Sequence, residues 1–214
     1  MPVYNEFSVP IYINKMYGHE DFKSHFVDYV SNPDNLHLAW DSRTPTTHHA
    51  PDPPTENAVL AWGGERLKEY IDWKPFTKEV ANHHIHMYFK EAFGQNISLN
   101  WAFDSWINKY RKGDYQEQHN HLNSTTQLSL AYMVSTPTQN NRNGIRFVEP
   151  KNDFWTFCGL TDHVGGMPRR VYNPPQEEGT LIIFPSYLDH YVIRHDSDVP
   201  RITVSSNLHV FRNL

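Results

Sequence analysis

The sequence predicts a mainly β fold with some helix, a sandwich or jelly roll of short strands whose N-terminal helices pack on one sheet. Three observations predict it. From residue 96 onward, strand-like segments follow one another between turn-rich stretches, with no helical period among them. Before residue 95, the apolar residues recur at helical spacing instead. Finally, 6 Trp, 12 Tyr and 12 Phe in 214 residues supply the bulky core side chains that a disordered chain lacks. One domain of ordinary size is expected over 1–214, with helical support over about 1–95 and the strand core over about 96–214.

Taken in chain order, residues 7–13 alternate and are rich in β-formers. They predict a short strand, at a sheet edge because Pro10 cannot donate to a ladder. Residues 19–31 carry Phe22, Phe26, Tyr29 and Val30 at helical spacing, a short amphipathic helix that Pro33 ends. Four prolines within 41–57, with no apolar period, predict a loop. Over 64–93, Leu67, Ile71, Phe76, Val80, Ile85, Tyr88 and Phe89 restore the helical period, and Pro75 predicts a bend between two helices. Residues 96–110 then alternate as a long strand. Ile97, Leu99, Trp101, Phe103, Ser105 and Ile107 fall on one face, and Asn100, Ala102, Asp104, Trp106, Asn108 and Tyr110 on the other. Further strands are expected at 117–121, 127–135, 145–148, 180–184, 190–194 and 201–211. The segment 149–178 reads as a long loop of the kind that often carries function.

Composition excludes several classes of function. A formal charge of −5, with no run of Lys or Arg longer than two, offers no surface for a polyanion, so nucleic acid is disfavoured as a partner. No window approaches the about 18 apolar residues of a membrane span, and residues 1–6 have neither the basic nor the apolar region of a secretory leader. Cys158 is the one cysteine, so no internal disulfide forms and a cytoplasmic setting is expected. No G-x-S-x-G, P-loop or G-x-G-x-x-G pattern occurs, which leaves serine-hydrolase, P-loop and dinucleotide-binding readings without local support.

Fourteen histidines are left to sort. Residues two apart in a strand share a face about 6.6 Å apart, so His119 and His121 can aim both imidazoles at one point. About seventy residues later a buried strand and sharp turn, residues 179–189, deliver His190. Three such imidazoles form a facial ligand set that leaves coordination positions open for substrate and oxygen. An isolated H-x-H pair, by contrast, is commonly two exposed or hydrogen-bonded side chains. His83, His84 and His86 lie on a helix without an accompanying carboxylate or Cys and are expected to be solvated. His48 and His49 fall in the Pro-rich loop; His163 and the Arg169–Arg170 pair fall in the long loop, where contact with substrate is conceivable; Cys158 is expected to be buried rather than nucleophilic.

The pattern Gly113-x5-His119-x-His121 with Gly179-x5-Pro185-x4-His190 resembles the two cupin motifs, except that Thr125 and Thr126 stand where a cupin has its acidic ligand. A closer resemblance covers nearly the whole chain. Residues 7–12, 107–115, 128–132, 181–190 and 201–207 are similar, in order and spacing, to a family of 2-oxoglutarate and Fe(II)-dependent oxygenases found in bacteria and phages. The resemblance implies a double-stranded β-helix and a non-haem Fe(II) centre. With 2-oxoglutarate as cosubstrate and O2, such an enzyme hydroxylates a C–H bond of a primary substrate, releasing succinate and CO2.

Carried over residue by residue, the family's H-x-D pair falls on His119 and His121 and its distal histidine on His190. A histidine at 121 departs from that pattern and removes a negative charge from the metal, which shifts its redox behaviour. Asp114 or Glu117 folding back to ligate, or a degenerate site, are the alternatives at this stage. Arg201, eleven residues past His190, falls where the family binds the distal carboxylate of 2-oxoglutarate, with Thr203 adding a hydroxyl on the same strand face. A planar guanidinium makes two parallel charge-assisted bonds to a carboxylate that Lys cannot reproduce; the plain alternative is a surface Arg201 paired with Asp196 or Asp198. Tyr132 and Asn108 occupy positions where such oxygenases place cosubstrate-binding residues; the equal alternative for each is a core polar residue with local partners. Trp101, Phe103, Trp106 and Phe184 are candidate apolar walls. Two other functions are consistent with the residues: a three-His cupin dioxygenase that does not use 2-oxoglutarate, and a non-catalytic jelly-roll binding module.

Overall fold

The computed structural model of the chain describes residues 8–31, 58–59, 71–96, 99–137, 144–150 and 171–211. Among them, β1 (Tyr12–Lys15) and α1 (His19–Ser31) come first, followed by the short β2 (Ala58–Val59). A helical run follows, made of α2 (Lys74–Glu79), a π-helical segment (Val80–Ile85) and α3 (His86–Phe93). The strands β3 (Asn100–Tyr110), β4 (Gln116–His119), β5 (Thr126–Ser135), β6 (Ile145–Val148), β7 (Val171–Tyr172), β8 (Thr180–Pro185), β9 (His190–Val192) and β10 (Arg201–Phe211) complete the fold. Two antiparallel sheets result: one of six strands in the order β1-β8-β5-β10-β3-β2, one of four in the order β4-β9-β6-β7. From β3 to β10 the chain crosses repeatedly from one sheet to the other, which is the winding of a jelly roll. No described helix is long and apolar enough to cross a membrane.

Strand alternation divides the core in two. Leu181 and Ile183 of β8, Leu128, Leu130 and Tyr132 of β5, Ile107 of β3 and Val204 of β10 join Phe26 and Val30 of α1 and Phe76, Val80, Ile85 and Tyr88 of the helical run in one cluster. The intervening residues point the other way: Ile182 and Phe184, Ala131 and Met133 meet Ile145 and Phe147 of the second sheet. Each large apolar side chain buried completely in this way, as Phe26 and Ile183 are, stabilises the fold by roughly 1.5–3 kcal/mol.

Several expectations shift. The first strand begins at Tyr12 rather than at residue 7, and residues 8–11 lie outside any strand. Pro75 opens a helix in its first turn instead of bending one, because its missing N–H costs nothing there. The long loop expected over 149–178 contains β7, which pairs with β6. His84 is fully buried, not solvated, and its Nδ1 lies 3.1 Å from the Tyr12 hydroxyl. Residues 41–57, and with them His48 and His49, lie outside the described residues, as do Cys158, His163, Arg169 and Arg170.

Candidate metal centre

The β3–β4 connection turns at Gly113, whose φ of 96° is open to glycine but costly for other residues, and whose N–H donates to the His195 carbonyl over 2.7 Å. β4 then runs to His119, directly opposite His190 at the start of β9. Direct cross-strand partners hold their side chains within contact distance, and the two ring centroids are 4.4 Å apart. The strand ends at His119, so His121 is positioned by the segment beyond it, where its backbone N–H donates to the Ser186 carbonyl over 2.9 Å. Its ring lies 5.3 Å from that of His119 and 5.1 Å from that of His190. One potential ligand nitrogen from each of the three histidines lies within 4.8 Å of the other two.

Hydrogen bonds orient two of the rings. His119 Nδ1 lies 2.6 Å from the Glu117 carbonyl oxygen, and His190 Nδ1 2.9 Å from that of Leu188. A carbonyl only accepts, so each Nδ1 carries the proton and each Nε2 presents a lone pair, the arrangement that fixes a metal-binding tautomer. Burial, followed by the neighbouring His119 and His121, holds the His190 pKa well below its usual value, which keeps that ring neutral. Phe184 and Phe147 wall it, with centroids 5.0 and 6.1 Å away.

The alternative carboxylates stand apart from the group. Asp114 is buried, and its Oδ2 accepts the Arg111 N–H over 2.8 Å, so it closes the turn before β4. Glu117 lines an outer groove alongside Tyr191 and Arg194 and is not part of the metal-capable cluster. Among the described residues, the one cluster of metal-capable side chains is His119, His121 and His190.

Arg201 occupies the same cavity. Trp106, the three histidines, Arg201 and Thr203 line a space of ≈ 50 Å³, to which Tyr110, Phe184 and Ile145 also contribute. The Arg201 guanidinium is 1 % exposed, which rules out the surface ion pair with Asp196 or Asp198. Its carbon lies 4.2 Å from the centroid of the Tyr110 ring, whose hydroxyl bonds Arg201 and Thr203. Burial raises the Tyr110 pKa to about 12, against the lowering effect of Arg201. Among the described residues, the Arg201 Nε and Nη1 have no hydrogen-bond partner. A buried donor left unmade costs about 1–3 kcal/mol, and more when it is charged, so these two nitrogens are able to take an anionic ligand. Asn108 pairs with Thr203 across the ladder, and its Nδ2 lies 3.3 Å from Thr203 Oγ1 and 3.0 Å from Ser205 Oγ, while its buried Oδ1 has no partner.

Two expected site residues are not among those lining the cavity: Asn108, which bonds lining residues Thr203 and Ser205, and Tyr132. Tyr132 projects to the helical side of the sheet, between Phe26 and Phe76, with its hydroxyl 2.6 Å from His19 Nδ1. Its neighbours Ala131 and Met133 line the cavity in its place, as period-two alternation requires. Alternation also sorts the predicted walls: Trp106 and Phe184 line the cavity, whereas Trp101 and Phe103 pack against the helical cluster on the opposite face. Tyr110 was missed as a site residue, although it shares a strand face with Asn108 and Trp106.

Comparison with known proteins places this geometry. Residues 104–207 match the family model described as "Putative 2OG-Fe(II) oxygenase". No curated protein sequence matches. Among solved structures, a prolyl-4-hydroxylase of Pseudomonas putida superposes with a TM-score of 0.58 at 11 % identity, covering 94 % of each chain. A prolyl hydroxylase of Trichoplax adhaerens, solved with a hypoxia-inducible-factor peptide fragment, gives 0.58 at 13 % identity, over 95 % of this chain and 84 % of that one. EctD from S. alaskensis, solved with 2-oxoglutarate and 5-hydroxyectoine, gives 0.57 at 12 %, over 94 % and 72 %. At these identities the structural likeness is one of fold.

Proposed function

We propose that this chain, whose residues 104–207 belong to the 2OG-Fe(II) oxygenase family, oxidises a C–H bond of an organic substrate with His119, His121 and His190 as the iron ligands and Arg201 as the cosubstrate anchor. The observation that carries the residue assignment is the buried guanidinium, with two unpartnered nitrogens, in the same cavity as three imidazoles. The donor set fits the group. Imidazole nitrogens suit Fe(II), and a facial set of three leaves positions free. Bound there, Fe(II) and 2-oxoglutarate supply the oxidation: with O2, the 2-oxo acid decarboxylates to succinate and CO2, and the substrate is hydroxylated.

The chain's own residues do the rest. The Glu117 and Leu188 carbonyls hold the Nδ1 protons of His119 and His190, which leaves Nε2 to ligate. Arg201 offers a planar pair of donors to the far carboxylate of the cosubstrate, and the Tyr110 ring beneath it holds the fork flat. Thr203 and Asn108 add a hydroxyl and a carboxamide at the same depth in the barrel. Ala131, Met133, Ile145 and Phe184 give the cavity apolar walls. A buried Arg201 with free donors suits any carboxylate, including that of a cupin dioxygenase's own substrate; the family match over residues 104–207 is what makes the 2-oxoglutarate reading the better supported. The proposal also places the protein in the cytoplasm, as one compact domain without nucleic acid as a partner; the primary substrate is an organic molecule with an accessible C–H bond.

The test is anaerobic loading with Fe(II) followed by 2-oxoglutarate and O2, measuring succinate. Succinate formed in proportion to loaded iron is the expected result. Tight iron binding with no consumption of 2-oxoglutarate, alone or with candidate substrates, would overturn the cosubstrate assignment.

A further inference from the structure

His121 presents a difficulty that the rest of the site does not. His119 and His190 are fixed by the β4–β9 ladder, but His121 lies past the end of β4, where no ladder fixes its ring. Besides the His121 N–H bond to the Ser186 carbonyl, this segment is held by the side chain of Asp189, the residue before His190. Its Oδ2 accepts from Gln118 Nε2 over 3.0 Å, and its Oδ1 accepts from Asn120 Nδ2 over 2.7 Å. Gln118 and Asn120 flank His119 and alternate with the two imidazoles of the pair. The Asn120 amide cannot turn over, because its Oδ1 already accepts the Leu122 N–H over 3.1 Å, which closes the segment just beyond His121. The Asp189 carbonyl, for its part, accepts the Val148 N–H over 2.8 Å and ties the turn to β6.

We infer that Asp189 is a positioning residue for the metal: through Gln118 and Asn120 its carboxylate braces the segment carrying His119 and His121 against the turn carrying His190, and so sets the spacing of all three ligands. Two charge-assisted bonds from one carboxylate fix direction as well as distance, and groups that orient ligands in this way are typically worth about 10–100-fold in metal affinity. A solvated Asp189 would be free to point anywhere; here both of its oxygens are taken by the chain segment that bears the other two ligands. The inference rests on the proposed ligand set, and its test keeps the two apart.

The experiment measures Co(II) and Fe(II) affinity of the purified chain, together with the Co(II) absorption spectrum, for the wild type, Asp189→Asn, Asn120→Asp and the double variant. In Asp189→Asn one oxygen becomes an amide that faces the Asn120 amide, and in Asn120→Asp two carboxylates face each other. The double variant restores a donor opposite an acceptor, while the oxygen retained at position 189 still accepts from Gln118. Each single variant is expected to lose roughly 10–100-fold in affinity with an altered Co(II) spectrum, and the double variant to recover most of both. Urea unfolding of the metal-free proteins reports folding, and Gln118→Ala, which removes only an exposed side chain, serves if Asp189→Asn does not fold. Unchanged affinity and spectrum in folded Asp189→Asn, or in Gln118→Ala where that variant is used, would overturn the inference, as would a folded double variant that recovers nothing. A wild type that binds neither metal would instead overturn the ligand set.

Discussion

Arg201 is the residue on which cosubstrate use turns. Its guanidinium is buried, stacked on Tyr110 and short of partners, so a dicarboxylic acid would complete two bonds that the protein leaves open. Lysine at this position keeps the charge but loses the paired geometry. Arg201→Lys is therefore expected to raise the KM for 2-oxoglutarate by roughly 10–100-fold, the worth of one charge-assisted bond of about 1.5–3 kcal/mol, with iron affinity unchanged; a KM within twofold of wild type would show that the carboxylate sits elsewhere. At His121 the question is ligation itself. His121→Ala is expected to weaken Fe(II) binding by roughly 100-fold or more, beyond what loss of an orienting group costs, whereas His121→Asp keeps a ligand at that position. Equilibrium dialysis under anaerobic conditions reads both, and tight iron in the alanine variant would remove His121 from the ligand set. These residues were legible in the sequence because their chemistry is scarce: H-x-H, a distal histidine after an apolar strand, and a lone arginine entering the last strand. Asp189 was not, since an aspartate beside a histidine carries no signal until the fold brings Gln118 and Asn120 to meet it.

At the scale of the element, period-two alternation governs which side chains reach the cavity, and it explains where the expected site residues fall. Arg201 and Thr203 of β10 point inward, as do Asn108 and Tyr110 of β3, and the register pairs Arg201 with Tyr110 and Thr203 with Asn108. The alternation assigned to residues 96–110 holds in β3, with Ile107, Trp101 and Phe103 on the helical face. For β5 the sequence is ambiguous, because both faces of 126–135 are buried and the strand reads as a nearly continuous apolar run. Sequence alone therefore left Tyr132 between a cosubstrate-binding and a core role, and the structure puts it among the helices. The consequence is measurable: Tyr132→Phe is expected to leave the KM for 2-oxoglutarate within about twofold while lowering stability by about 0.5–1.5 kcal/mol through the lost bond to His19. Urea unfolding and steady-state kinetics separate these effects, and a large KM change with unaltered stability would return Tyr132 to the site. Strand ends were less legible than strand existence. β4 stops at His119 where alternation alone ran to 121, because pairing with β9 is lost once the chain turns toward Ser186.

On the scale of the whole molecule, the sheets and helices meet in a way that no local pattern specifies. Pairing β1 with β8 joins residues more than 160 positions apart, and the choice depends on which edges the helices leave open. His84 lies at that junction, in the π-helical segment, and links the helical layer to β1. The Tyr12 hydroxyl accepts from Asn14 Nδ2 over 3.0 Å and lies 3.1 Å from His84 Nδ1, so a neutral His84 can accept the Tyr12 proton. A protonated ring would make that nitrogen a donor facing a hydroxyl that already accepts from Asn14, and would bring a charge into a site where the other nitrogen lacks a partner among the described residues. Burial, with a smaller effect from His83, pushes the His84 pKa down to about 4 from an ordinary 6.5. The unfolded chain thus binds the proton more readily than the folded one, so stability from this residue is fully present above about pH 6.5 and is lost as the pH falls toward 4. Between about pH 7.5 and 5 the loss is roughly 2 kcal/mol for a single such group. His190 and His19 are also depressed, chiefly by burial, and add loss of the same sign, so the contribution of His84 has to be read as a difference between proteins. Urea unfolding of the metal-free wild type and of His84→Gln, each at both pH values, provides it. The wild type is expected to lose about 2 kcal/mol more than the variant on acidification; equal losses would mean that the helical layer stays seated on the sheet whatever the charge of His84.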